Sequence, residues 1–421
     1  MPRCARSSPV VWVVAAAIAS LAGRQARAGG EVITDLSPTV GIGATDNVTT
    51  AGGVTERTSD GFGTAGGALR LRYEGARSTS ALSYRLLWTR YVESNIPATI
   101  FSSLAVMSSL APTATLNVQL HANVDVTRAS NFDPANPTLV SPTAAAPGTS
   151  LYLATTAGED LGYQPNSRRG YGESLSVSQV RYLETAMPLP TTTFVSGAAR
   201  ATRLVGREVF TLDVAVGDSF TTVEPALMQG TFAQGHTILA QALVGWRHEV
   251  SPYWTTQLQA GPSMIAKLSG TGVIAPAATA TISYARTPWI ASASAVQSPA
   301  PNLFFGDATI TDQAIVRLAL PVLRSELVYV GGFGGYLYGR IANDQLQLSR
   351  DFDQFVAGLS LFARFGRMPF AGSVNYMVLS QRGSSLPGHE IPDLARQAVM
   401  VNITGVLAWG KGTPPLFAGA L

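Results

Sequence analysis

Residues Thr115 to Arg128 read TLNVQLHANVDVTR. Leu116, Val118, Leu120, Ala122, Val124 and Val126 are apolar, and Thr115, Asn117, Gln119, His121, Asn123, Asp125 and Thr127 between them are polar. Successive side chains of a strand point to opposite faces, so this stretch is a ribbon with one apolar and one wet face. Its length separates two readings. Soluble strands run to about five or six residues, and strands that cross a bilayer need about nine to eleven. The alternation therefore predicts a stave of a membrane β-barrel with an aqueous interior, against the alternative of a soluble periplasmic β-protein.

The two ends set the domain plan. Arg3 and Arg6 precede the apolar run Val10 to Gly23, and Ala26-Arg27-Ala28 offers an A-x-A cleavage site. That is the pattern of a secretory leader over residues 1–28 rather than of a membrane anchor. Residues 29–410 are then expected to form the barrel, and 411–421 a C-terminal tail. The four leader arginines are Arg3, Arg6, Arg24 and Arg27; taking them from 29 basic residues leaves 25 against 26 acidic ones. The +3 charge of the full chain is thus no argument for nucleic-acid binding, and no nucleic-acid partner is expected. Cys4 is the single cysteine and lies in the leader, which leaves no thiol chemistry. No apolar run after the leader is long enough for a spanning helix, so a membrane crossing requires a closed barrel.

Alternating segments recur along the chain. Val32 to Val48 reads as a first strand, and Phe62 to Tyr73 and Ser80 to Val92 form a hairpin through Gly75-Ala76-Arg77. A strand at Ala98 to Ser109 turns at Ala111-Pro112 into the opening stretch. Ser130 to Ser150 carries Pro134, Pro137, Pro142 and Pro147, which exclude helix and central strand; this proline-rich segment is expected to be an extracellular loop that narrows the mouth. Further strands are predicted at 151–157, 171–184, 192–205, 207–220, 236–249, 253–266, 273–286, 289–298, 309–320, 325–340, 352–365, 369–381 and 396–409. Short turns alternate with longer connections only if Leu151 to Ala157 is counted. The expectation is an all-β, single, up-and-down antiparallel transmembrane barrel of about 18 strands, with 16 as the near alternative. Tyr73, Tyr84, Trp88, Trp246, Trp254, Trp289, Phe365 and Trp409 fall near strand ends on the apolar side, as interfacial girdles require.

The leader, the early Thr45-Asp46-Asn47-Val48 and the run of alternating strands to an aromatic-ended last strand resemble the porin-like bacterial outer-membrane β-barrels, including those found beside exopolysaccharide export systems. The resemblance implies a location in the Gram-negative outer membrane, and passage or export of a hydrophilic solute such as a polysaccharide. It further implies contact with outer-membrane lipid and partner proteins of an export system, with no cofactor and no catalysis. Lys411 to Leu421 depart from the pattern by following the terminal aromatic.

Motifs with chemistry are few. Gly61-Phe62-Gly63-Thr64-Ala65-Gly66 matches a dinucleotide fingerprint, but a strand rather than a helix follows it. His248-Glu249 and His389-Glu390 lack the second histidine of a zinc helix, so no metal is expected. His121 and Asp125 share a face and could activate water, the basis of an alternative reading as a barrel-embedded hydrolase. The leading constellation is a pore lining of Arg70, Arg72, Arg85, Asn117, Gln119, His121, Asp125, Asp213, Arg247, Arg317 and Arg364, cationic because few acids besides Asp125 and Asp213 are placed with it.

Overall fold

The computed structural model describes residues 31–409 apart from 47–58, 94–97, 129–150, 185–190, 223–234, 268–271, 287–288, 303–306, 323–326, 342–349, 366–368, 384–393 and 406. Residues 1–28, expected to be a leader, the proline-rich segment 130–150, expected to be an extracellular loop, and residues 411–421 therefore lie outside the described residues.

Every described element is a strand, and the set is read in three stretches. The first is β1 (Glu31–Thr45), β2 (Asp60–Gly75), β3 (Ser78–Tyr91), β4 (Thr99–Leu110), β5 (Leu116–Arg128) and β6 (Leu151–Asn166). The second is β7 (Arg169–Glu184), β8 (Thr191–Val205), β9 (Glu208–Thr222), β10 (Gly235–Glu249), β11 (Trp254–Lys267) and β12 (Gly272–Arg286). The third is β13 (Trp289–Asn302), β14 (Asp307–Pro321), β15 (Val328–Ile341), β16 (Arg350–Arg364), β17 (Phe370–Gly383), β18 (Leu394–Gly405) and β19 (Leu407–Trp409). Each strand pairs antiparallel with its chain neighbour, and β1 also pairs with β18 and β19. β18 and β19 are two pieces of one stave on the same edge of β1, so the sheet closes as an 18-stave barrel, as the alternation of connections predicted.

Parity carries around the ring. Thr39 faces Thr404 on one side and Gly66 on the other, and Gly41 faces Asn402 and Thr64. Val40, Ile42, Leu86, Leu212, Val316, Leu359 and Val401 are exposed on the outer face. A closed barrel of even strand number is the arrangement in which alternating ribbons keep one apolar side outward without an unpaired edge. Tyr163, Tyr171, Trp254, Trp289 and Phe370 stand exposed close to the short-turn rim. There Trp254 packs on Tyr284 at 4.9 Å between centroids, and the Arg286 guanidinium lies 5.2 Å over Tyr253. Among the two-residue turns, Gly206-Arg207 holds Gly206 at φ 64°, where a side chain would be strained.

Two predicted boundaries change. The segment expected to end at Ala157 continues to Asn166, pairing with β5 and β7 throughout and shifting register near Asn166. Glu159 interrupts its apolar row while Asp160 and Gly162 lie in the inner row, and the ladders on both sides hold the backbone extended regardless. The strand expected to stop at Ser298 runs on through Pro299 to Asn302, now paired only with β14.

Candidate functional site: the barrel lumen

The ladders place Arg70, Arg72, Arg85, Asn117, Gln119, His121, Asp125, Asp213, Arg247, Arg317 and Arg364 on the face opposite the exposed apolar one. Arg70 faces Asp35 and Ser83; Arg85 faces Ser103, and Ser103 faces Asp125; Arg317 faces Ser292 and Phe333. Most of these lie in the half of the barrel next to the short turns.

Acids interleave with the arginines more than the sequence suggested. Asp35, Glu74, Asp160 and Glu249 occupy the same inner face, since they sit opposite Arg70, Thr79, Gln119 and Thr255 in the ladders. Arg72 Nε lies 3.1 Å from Glu74 Oε1, and Arg247 Nη2 lies 3.1 Å from Glu249 Oε1. Arg200, on the β8 row opposite Asp213, donates from Nε to that carboxylate, which also accepts from Gln259 Nε2 at 2.8 Å. Arg72–Glu74 and Arg247–Glu249 are two apart on one strand, which alternation alone could have indicated; the contacts of Asp213 cross between strands and depend on register. Arg317 and Arg364 form no ion pair among the described residues. The Arg85 guanidinium lies 5.6 Å over the Phe101 ring.

His121 and Asp125 are not brought together. Four residues along a strand separate them by about 13 Å of backbone. Asp125 instead accepts a hydrogen bond from Asn123 Nδ2, and His121 Nδ1 lies 3.5 Å from Asp160 Oδ2. The imidazole lies over Gly158, where a Cβ would collide with it. Asp160 was invisible as a partner because it fell in the stretch predicted to be a connection. Among the described residues no group of histidine, cysteine, aspartate or glutamate is arranged to hold a metal ion.

The other half of the lumen differs. Phe62, Tyr91 and Met400 form one buried cluster beneath the long connections. Arg396 beside it is buried, donating from Nη2 to Tyr91 Oη at 2.9 Å and from Nε to Thr45 Oγ1 at 3.2 Å. Val356, Met377 and Leu379 form another cluster against Phe333. In a third, Leu239, Ile265 and Ala308 pack together with Phe194 and Ile310. The interior thus passes from a charged, solvated vestibule at the short-turn end to buried apolar clusters towards the other.

No protein-family model matches the chain, and no curated protein matches it. Among solved structures it is similar to OccK2 (OpdF) of Pseudomonas aeruginosa in complex with glucuronate, at 10% identity and a TM-score of 0.45 over 89% of this chain and 98% of that one. It is also similar to OpdO of the same organism, at 11% identity and a TM-score of 0.43 over 90% and 98%. The FrpB iron transporter of Neisseria meningitidis aligns at 9% identity and a TM-score of 0.47 over 92% and 83%. Independently of these, the described strands form a closed ring of 18 antiparallel staves, a single up-and-down β-barrel that is apolar outside and charged within.

Proposed function

We propose that the protein is a passive channel of the Gram-negative outer membrane for a hydrophilic solute, with a mild preference for anions. The observation that carries this is the contrast between the two faces of one closed sheet. The outer face exposes large apolar side chains, while the inner face gathers arginines, amides and hydroxyls at the short-turn end. Short turns are periplasmic in bacterial barrels, so the polar vestibule opens to the periplasm. Barrels of sixteen to eighteen strands leave an aqueous path. A sugar acid or polysaccharide suits this lining: Asn117, Gln119, His121 and Asn123 offer hydrogen bonds to hydroxyls, and the arginines attract carboxylates. A vestibule on the periplasmic side is also the end that partner proteins of an export system would load.

Preference for anions follows from Arg317 and Arg364, whose charge is not cancelled by a neighbouring acid among the described residues. It is tested by reversal potentials across a planar bilayer in a salt gradient. The wild type is expected to be anion-selective. Two unit charges interact by about 1 kcal/mol at 4 Å in water and less at pore distances, so Arg317→Gln with Arg364→Gln should lower the anion-to-cation permeability ratio about two- to threefold. Arg70→Gln, Arg72→Gln and Arg85→Gln together leave Asp35 and Glu74 unopposed and should move it further. A cation-selective wild type, or variants with unchanged potentials, refutes the reading.

A further inference from the structure

Between β12 and β13 the barrel wall is joined over only part of its height. The ladder runs from Arg286↔Trp289 to Ala278↔Gln297 and stops, although β12 continues to Gly272 and β13 to Asn302. Continued in register, it would next set Pro276 against Pro299. Proline has no amide hydrogen to donate to a ladder and is confined to strand edges. Pro262 and Pro276 face each other within the unbroken β11–β12 ladder, so opposed prolines do not by themselves split a sheet; that pair must be one that exchanges no hydrogen bonds, which directs the missing amide of Pro276 towards β13 and removes a rung at the split.

On the inner side of the split, the end of the β13–β14 hairpin turns into the lumen. Ala308 and Ile310 belong by register to the outward row of β14, being opposite Pro301 and Pro299, yet they pack with Leu239, Ile265 and Phe194 on the inner wall. β13 accordingly approaches β10 and β11, which are not its ladder partners. On the outer side, at the foot of the split, lies a groove of about 830 Å³. Its floor includes the methyl groups of Ala278, Ala280 and Ala295, and Leu258, Trp246 and Tyr336 rise around it. Gln297 and Asp312, cross-strand neighbours, supply its polar side chains at the level where the ladder ends.

We propose that the split between β12 and β13 is a side portal through which a bilayer amphiphile passes its apolar chain from the outer groove to the apolar patch inside the lumen. A floor of methyl groups between bulky walls fits an unbranched alkyl chain. The Asp312 carboxylate beside Gln297 favours a head that donates hydrogen bonds and is uncharged or cationic, since a like charge there is repelled. A groove alone would hold boundary lipid; the broken ladder and the inward apolar cluster at the same level connect it to the interior. The proposal rests on the outer-membrane reading.

The test uses the whole protein in lipid vesicles with a dodecyl glucoside carrying a photoactivatable diazirine at the chain end, and cross-linked residues mapped by mass spectrometry. Labelling is expected both in the groove, at Ala278 to Ala280, and inside, at Phe194 and Ile310, the partly exposed members of the inner cluster. The mature region has no cysteine of its own, so Ala275→Cys with Ala300→Cys, opposite each other if the ladder continues, can close the split by a disulfide. Oxidation should reduce inner labelling at least tenfold and leave groove labelling unchanged, and a reductant should restore it. Pro276→Thr with Pro299→Thr, which regains both amide donors, should give the same loss without a cross-link. Groove labelling without inner labelling in the parent protein, or inner labelling that persists in the oxidised variant, overturns the portal. Absence of labelling in the groove as well would count instead against the outer-membrane reading, which conductance measures separately.

Discussion

At the scale of single residues, glycine shapes the lumen by what it omits. A Cβ at Gly43 would overlap the Phe62 ring and the Val399 carbonyl, one at Gly339 would overlap Phe352, and one at Gly358 would overlap Phe333. Each pair is directly cross-strand, so the ring lies flat on the neighbouring strand instead of projecting across the channel. Such aromatic cover of a strand glycine also restores packing that glycine alone cannot provide. Gly43→Val has no free space on either side, and overpacking of this kind costs about 1–3 kcal/mol. It should lower the temperature at which the folded, fast-migrating form is lost on unboiled gels, whereas Gly63→Val, with open space at its Cβ, should leave it near the wild type. The inward parity of Phe62 could be read from alternation. Its position over Gly43 could not, because that depends on register between strands.

At the scale of elements, closure is the feature to test. β1 is the one strand that meets both ends of the chain: Thr39 to Thr45 pair with β18, and Thr34 to Leu36 with β19. The described partners end at Trp409, so removing 411–421 leaves every described rung in place. A chain truncated after Gly410 should fold to the same heat-modifiable barrel, measured as the fraction of unboiled protein in the fast-migrating band. Truncation after Gly405 removes the pairs of Thr34, Asp35 and Leu36 and exposes part of an edge, which sheets tolerate poorly. That variant should show a clear loss of folded fraction. The sequence placed the last strand and its aromatic correctly in order. β6 was harder, since Glu159 and Asp160 hid a strand whose existence is decided by its neighbours β5 and β7.

For the whole molecule, the organising fact is a gradient along the barrel axis. Charged pairs such as Arg247–Glu249 and His121–Asp160 remain about half exposed at the short-turn end, while Val356 and Met377 are only 1% exposed nearer the other end. The inward end of the β13–β14 hairpin adds to that filling by covering Leu239 and Ile265. Replacing residues 299–310 by a short glycine-containing turn should therefore raise single-channel conductance severalfold while keeping the sign of the reversal potential. An unchanged conductance in a folded variant would show that the hairpin does not limit flow.

By itself the sequence determined which side of each strand is wet and, to within one hairpin, how many staves there are. These follow from local chemistry, a period of two with turn residues between periods; where the β12–β13 ladder stops is visible only in the register. Only the tertiary structure decided which charges meet. Asp160 rather than Asp125 lies beside His121, and Asp213 takes Arg200 and Gln259, because inter-strand register, not spacing along the chain, sets those distances. It alone also turned Ala308 and Ile310, outward by parity, towards the lumen. Alternation specifies faces relative to the sheet, and a hairpin freed from its neighbour can carry its own outer face inside.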